Sequence, residues 1–387
     1  MTFLFDGKNT KNVLMIALNR PYDVPDRLEV RGERLEVNDK RDIRLTYSSR
    51  EGLNVIYRKL YEERGAMRVA VSPLTCFIAI YPMVANGHVP VFVDIDAKTL
   101  NMDEEKLVAQ TDVDAVQVIH LGGNPMRMDK VMEWAKKNGV VVIEDCAQAL
   151  GATYQGKNVC SFGDFAVASA VKNVYGVCGG ILIGDCRLEN GDCKNVSSAV
   201  LVYKRIKRLL EKRANARNFG LWNGLYGGLL RLKDTQENGF SNVVHRLPEK
   251  IELEIRERLG QLDAINAVRK EKAERLIAQI DRTKYAIQQE PEGGISTRNR
   301  VLVVSQSVPA RDVIAALRKR GIAANNLTQS YTHPYQEHVR EDAMLGKYYT
   351  ERLEEYERIL PKVVCVPCSP ALSDKEIDYI AKELNRI

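Results

Sequence analysis

Val140-Val-Val-Ile-Glu-Asp145-Cys-Ala-Gln148 is the stretch on which the reading of this chain turns. Four consecutive apolar residues running into two carboxylates have the length and composition of a strand buried on both faces, which ends where the polar side chains begin. Runs of the same kind lie on either side of it. Arg68-Val-Ala-Val-Ser72, Pro90-Val-Phe-Val-Asp94 and Ala115-Val-Gln-Val-Ile119 precede it, and Phe165-Ala-Val-Ala-Ser169 and Gly180-Ile-Leu-Ile-Gly184 follow. Helical patterns such as Met128 to Asn138, stopped by Gly139, separate several of them. Continuous apolar strands alternating with helices predict an α/β fold with a mostly parallel sheet, covered on both faces. Ligands of such sheets bind beyond the carboxyl ends of the strands, which is where Asp145 and Ser169 fall.

With 387 residues the chain exceeds one small domain, and two are expected. The first is a large α/β domain over residues 1–240 with an N-terminal arm. The second, 241–387, opens with one long helix over 249–280 and continues as a smaller α/β unit. Its strands are Val301-Leu-Val-Val-Ser305 and Val363 to Val366, and its helices Ala310 to Arg320 and Asp374 to Leu384. The polar stretch Lys233 to Phe240 reads as the linker.

Composition narrows the class. A hydrophobic fraction of 45% and a charged fraction of 28% are ordinary for a globular enzyme. No apolar run approaches the roughly 18 residues of a membrane span, and Met1-Thr-Phe-Leu-Phe-Asp6 lacks the basic start and apolar stretch of a secretory signal, so a cytoplasmic location is expected. A net charge of +6 suits anionic small substrates and is too diffuse for nucleic acid. The eight cysteines are scattered in apolar segments, which suits reduced core residues. Only Cys365-Val-Pro-Cys368 has metal or redox spacing, and with no second pair it reads as alternate positions of a buried strand; no metal is expected. The basic run from Lys204 to Arg217, with the apolar segment Leu221 to Leu230 after it, reads either as a solvated helix face or as a surface for a membrane or a partner subunit.

Three constellations carry chemistry. Asp145 ends a buried strand, which places its carboxylate at the sheet edge, and Gln148 is three residues on. Lys172 follows the strand that ends at Ser169, close to Gly176, Gly179 and Gly180, which let backbone pass near a ligand. A lysine that bonds to the aldehyde of pyridoxal phosphate (PLP), with a carboxylate holding the pyridine nitrogen protonated, is the arrangement such an enzyme needs. Ser48, Ser49 and Arg50 stand before the helical run Leu53 to Tyr61, where free N–H groups form an anion site or the serines simply cap the helix.

On these residues the chain resembles the DegT/StrS-type sugar aminotransferases, a branch of the fold-type-I PLP enzymes. Ser48-Ser-Arg-Glu-Gly-Leu53, Pro90-Val-Phe-Val-Asp-Ile-Asp96 with Thr99-Leu-Asn-Met-Asp103, His120-Leu-Gly-Gly-Asn-Pro125, Ile143-Glu-Asp-Cys-Ala-Gln-Ala149 and Ser161-Phe-Gly-Asp164 match in the family's order. The lysine loop is short, with Ser169 three residues before Lys172, as in a shorter-loop branch of the family. The resemblance is strong over about residues 40–190. It implies a seven-stranded-type sheet in the large domain and a homodimer with active sites at the interface.

It also implies roles. Lys172 would bond to the cofactor, Asp145 would pair with its ring nitrogen, and Gln148 would touch the ring hydroxyl. Ser48, Ser49, Arg50 and Ser169 would hold phosphate, with Asn242 supplied by the partner chain. Arg50 stands where the family has threonine, and in Leu74-Thr-Cys-Phe77 either Phe77 stacks on the ring or no aromatic does. His120 and His333 are candidates for the substrate entrance. The implied reaction moves an amino group from an amino acid, glutamate by resemblance, to a keto-sugar. A dehydratase using the same cofactor is the enzymatic alternative, and Lys172 speaks against it because related dehydratases carry histidine there. A non-catalytic regulatory protein is the alternative of another class.

Overall fold

A computed structural model describes residues 42–186, 193–213, 244–326 and 338–387. Its centre is a seven-stranded sheet built from β1 (Ile43–Thr46), β2 (Arg68–Val71), β3 (Val89–Phe92), β4 (Ala115–Ile119), β5 (Val141–Cys146), β6 (Phe165–Ser169) and β7 (Gly180–Ile183), in the order β1-β7-β6-β5-β4-β2-β3. Neighbours from β3 to β6 pair in parallel, while β7 runs antiparallel to both β6 and β1. The α/β class and the mostly parallel sheet are as expected from the apolar runs. The edge strand β1 has too few apolar residues to announce itself, since Arg44 and Thr46 interrupt it.

Every residue of β4, β5 and β6 is buried, because helices cover both faces. On one side α1 (Ser49–Arg64) and α2 (Phe77–Ala85) pack through Leu53, Ile56, Leu60, Ile80 and Met83. On the other, α3 (Asp129–Asn138) contributes Val131 and Trp134 and ends at Gly139 in the left-handed region, φ 68°. The helix expected from Leu53 begins four residues earlier, at Ser49, because Ser48 caps it: its Oγ accepts from the Glu51 N–H at 3.2 Å.

One expectation is corrected. The long helix over 249–280 is two helices, α4 (Glu249–Leu259) and α5 (Leu262–Gln279), separated at Gly260-Gln261. Glycine is a poor helix former, and the break lets the two helices serve different cores. Ile251 and Ile255 pack with Leu262 and Ile265 beneath the large sheet, while Ala273 and Leu276 join the core of the C-terminal unit. That unit is an antiparallel sheet of β8 (Tyr285–Ile287), β9 (Val301–Ser305) and β10 (Val363–Val366), flanked by α6 (Ala310–Lys319) and α7 (Asp374–Asn385). The linker Lys233 to Phe240 and the boundary at 240 lie outside the described residues.

Candidate active site

The carboxyl ends of β5 and β6 gather the expected residues. Asp145 pairs in register with Ile119 on one side and Val167 on the other, two residues before Ser169. The carboxylate is 2% exposed, with Oδ1 accepting from the Ala147 N–H at 3.0 Å and Oδ2 from Gln117 Nε2 at 3.4 Å. Gln117 is held in turn by the Tyr57 hydroxyl, which donates to its Oε1 at 2.6 Å. Burial pushes the Asp145 carboxyl above its ordinary pKa, and the nearby Lys172 amine is the largest opposing influence.

Lys172 lies in the single helical turn Ala170–Asn173 after β6, where its N–H donates to Ser169 Oγ at 3.4 Å. Burial lowers the pKa of its amine; the Cys76 thiol opposes the shift, the Arg300 guanidinium adds to it, and Asp145 opposes it. A lysine depressed in this way is neutral, and hence nucleophilic, over more of the pH range. Asn173 locks this turn to the Asp145 segment. Its Nδ2 donates to Ala147 O at 3.1 Å and Ser169 O at 2.8 Å, and its Oδ1 accepts from the Leu150 N–H at 3.3 Å.

The start of α1 joins the same site across β7. Thr46, Gly180 and Ser169 are register neighbours on three adjacent strands. The Gly179 N–H donates to Tyr47 O at 3.0 Å, and its carbonyl accepts from the Ala170 N–H at 3.1 Å. Gly179 has φ 120°, a conformation closed to most side chains, and Gly180 lies directly against the Ser48–Ser49 peptide. The N–H groups that open α1, and the partly buried Ser49 and Arg50, therefore stand next to Ser169 and the lysine turn.

Other expected residues sit differently. Gln148 Oε1 accepts from the Gly122 N–H at 3.0 Å, so the side chain braces the turn after β4. Phe77 begins α2 and is packed in the main core, 9% exposed; its neighbour Cys76 is the residue whose thiol feels Lys172, Asp145 and Arg300. His120, expected at the substrate entrance, is corrected. It has no exposed surface, its Nδ1 accepts from the Met126 N–H at 3.0 Å, and its Nε2 donates to Glu144 Oε2 at 3.2 Å. Glu144 also accepts from the N–H groups of Cys160, Phe162 and Gly163, so this pair fastens the strand ends and leaves no ring nitrogen for a ligand. Cys146 Sγ lies within 4.8 Å of their ligand atoms, and burial pushes its thiol well above its ordinary pKa.

Asn242 and His333 lie outside the described residues, as do residues 214–230 of the basic and apolar segment. The helix before them, Ser198–Arg213, lays Lys204 over the Tyr47 ring, 3.9 Å from its centre. Cys365 is in β10 and Cys368 just beyond it, both buried, with the Cys368 thiol pushed up to about 12 by burial. Among the described residues no helix is long and apolar enough to cross a membrane.

Sequence reasoning missed Gln117, Cys76 and Arg300. A lone polar residue inside the apolar run Ala115–Ile119 was a usable signal for Gln117, and the neighbouring Phe77 pointed to the segment of Cys76, whereas nothing near Arg300 in the chain points to the lysine.

The profile of the DegT/DnrJ/EryC1/StrS aminotransferase family matches residues 46–385. A GDP-perosamine synthase of Escherichia coli O157:H7 is 38% identical over 109 residues, 27% of this chain and 29% of that protein. A dTDP-3-amino-3,6-dideoxy-alpha-D-galactopyranose transaminase of Aneurinibacillus thermoaerophilus is 44% identical over 102 residues, 25% of this chain and 28% of that one. The matched stretch thus spans under a third of either relative. In fold, the chain is similar to the E. coli GDP-4-keto-6-deoxy-D-mannose-3-dehydratase with bound hydrated PLP, at a TM-score of 0.65 and 19% identity, over 88% of this chain and 87% of that one.

Proposed function

Because this chain belongs to the DegT/DnrJ/EryC1/StrS aminotransferase family, we propose that it is a PLP-dependent aminotransferase that takes an amino group from L-glutamate and delivers it to the keto group of a nucleotide-linked sugar. The observation that carries this reading is the convergence of Asp145, Lys172 and the start of α1 at one end of the sheet. These residues suit PLP. Asp145 is a buried carboxylate whose pKa burial has raised, which a protonated ring nitrogen would compensate. Gly180 lets β7 lie directly against the Ser48–Ser49 peptide, which brings the N–H groups opening α1, suited to a phosphate, beside the lysine turn.

When bound, PLP supplies an aldehyde and an electron-accepting ring. The protein supplies the rest. The Lys172 amine, its pKa lowered by burial, would take the proton from the α-carbon of the donor and serve as the proton carrier for the acceptor half as well. Asp145 would hold the proton on the ring nitrogen. The first turn of α1, with Ser49, Arg50 and Ser169, would hold the phosphate, and Asn173 keeps Lys172 in register with Asp145. Residues 1–240 would form the large domain and 241–387 the small one, in a cytoplasmic homodimer whose partner chain adds Asn242 at the phosphate.

Lys172 favours amino transfer over dehydration. The test is a single turnover of PLP-loaded protein with L-glutamate. The reading requires one equivalent of 2-oxoglutarate per site, and nucleotide-linked keto-sugars then discharge the amino group. A panel of amino acids that releases no keto acid would overturn it.

A further inference from the structure

The helical turn that carries Lys172, Ala170–Asn173, is too short to pair its own last carbonyls. Ala170 O is met locally, by the Val174 and Gly176 N–H groups, both at 3.1 Å. The carbonyls from Lys172 to Val174 are each met from elsewhere. Lys172 O accepts from Asn299 Nδ2 at 3.0 Å, Asn173 O from Arg269 Nη2 at 2.8 Å, and Val174 O from Arg258 Nη1 at 3.5 Å. These donors come from three separate places in the C-terminal half of the chain: Arg258 from α4, Arg269 from α5, and Asn299 from the segment that enters β9.

Two of the donors are themselves fixed. Asn299 is buried and stands between main-chain bonds that dock its segment on the turn after β4: the Thr297 N–H donates to Gly123 O and the Arg300 N–H to Gly122 O, both at 3.0 Å. Packing there is so close that a Cβ on Gly123 would lie 2.8 Å from the Asn299 nitrogen. Arg269 is 1% exposed, and its hydrogen bonds go to Asn266 Oδ1, Asn173 O and the Tyr175 hydroxyl, none of them a carboxylate. A buried guanidinium normally answers a carboxylate, and one that answers only neutral groups is costly to keep. What this charge holds is the end of the lysine turn.

We propose that Asn299 and Arg269 are positioning residues for Lys172, through which the C-terminal half of the chain sets where its amine stands. This rests on the reading of Lys172 as the residue that bonds to PLP, and adds what keeps it on target. The amine has two tasks, bonding to the cofactor and, once released, carrying a proton. A side chain on a flexible stem reaches both stations reproducibly only from a fixed main chain, and a small misplacement is expensive in rate.

The test uses the full-length protein with Asn299→Ala, Arg269→Lys and Arg269→Met, each checked by circular dichroism, in the wild-type background and in Lys172→Ala. Lys172→Ala keeps the main-chain carbonyl and removes the amine. What the variants do to the fold therefore shows in both backgrounds, and what they do through the amine shows only in the first. Titration with PLP should show roughly fivefold weaker binding for Asn299→Ala and about tenfold for Arg269→Met in the wild-type background, with Arg269→Lys losing less than Arg269→Met. In the Lys172→Ala background all three should stay within about twofold of their parent. The single-turnover rate with L-glutamate should fall about tenfold while half-saturation changes little. A second readout needs no cofactor. The pH at which cyanate begins to carbamoylate Lys172, followed on its peptide by mass spectrometry, should rise as a loosened turn lets water reach the amine.

Equal weakening in both backgrounds makes the two residues mere supports of the fold and overturns the inference, as does unchanged PLP binding with an unshifted cyanate profile. If wild type and Lys172→Ala bind PLP alike, the amino-transfer reading falls, and the cyanate profile alone decides whether Asn299 and Arg269 position the amine. If Arg269→Met does not fold, Asn299→Ala and Arg269→Lys give the same comparison.

Discussion

Gly180 lies flat against the peptide that joins Ser48 to Ser49: a Cβ at Gly180 would sit 2.3 Å from the Ser48 carbonyl carbon and 2.4 Å from the Ser49 nitrogen. Because the obstacle is backbone, no side-chain rotation relieves it. Gly180→Ala must therefore push the first turn of α1 away from β7. Overpacking of this kind costs about 1–3 kcal/mol. The substitution should also weaken PLP binding more than it weakens the fold. Chemical denaturation of the cofactor-free protein and PLP titration measure the two separately.

Ser48→Ala provides the contrast. It removes the cap on the Glu51 N–H but leaves the Gly180 contact intact. A lost serine cap costs about 1 kcal/mol. The expected outcome is a comparable or smaller loss of stability than for Gly180→Ala, with PLP affinity much less affected.

Asp145 trades stability for chemistry. Its folded pKa is raised by burial above the roughly 3.9 of an unfolded aspartate, so the folded state binds the extra proton between those two values. The contribution is fully present below the unfolded pKa and is lost as pH rises through the folded one. Cofactor-free wild type should therefore lose stability relative to Asp145→Asn as pH is raised from about 4, and by neutral pH the variant should be at least as stable. Loaded with PLP, the same variant should turn over roughly 100- to 1000-fold more slowly, the scale of a lost electrostatic stabiliser. Paired denaturation curves across pH, with single-turnover rates, decide both halves.

His120 and Glu144 should behave as structure. Replacing Glu144 with Ala strands the N–H groups of Cys160, Phe162 and Gly163 together with the His120 ring. Each stranded buried group costs about 1–3 kcal/mol, so Glu144→Ala should fail to fold or melt far below wild type. The milder Glu144→Gln should lose stability while its KM for a keto-sugar acceptor stays unchanged. A KM effect without a stability effect would return His120 to the substrate entrance.

The architecture was readable because β4, β5 and β6 are buried on both faces and so print themselves as unbroken apolar runs. Asp145 and Lys172 were readable because each stands where such a run stops. What pairing across the sheet creates was not readable in the same way: that β7 turns antiparallel and sets Gly180 on Ser48 is a fact of register, not of local composition. His120 misled because a polar residue at a strand end looks the same whether its nitrogens face a ligand or a neighbouring carboxylate. The helix over 249–280 kept its apolar spacing through Gly260, so its pattern alone did not reveal the break. Arg300 lies 128 residues beyond Lys172 and reaches the site only through the docking of the C-terminal unit on Gly122.

The most direct measurement of the central claim is the near-visible absorption spectrum of the protein with PLP, before and after L-glutamate, recorded beside Lys172→Ala. The account predicts a band from lysine-bound cofactor in the wild type that is absent from Lys172→Ala and that disappears when L-glutamate is added, with one equivalent of 2-oxoglutarate released per site. A wild-type spectrum identical to that of free PLP, or a band that Lys172→Ala retains, would contradict it.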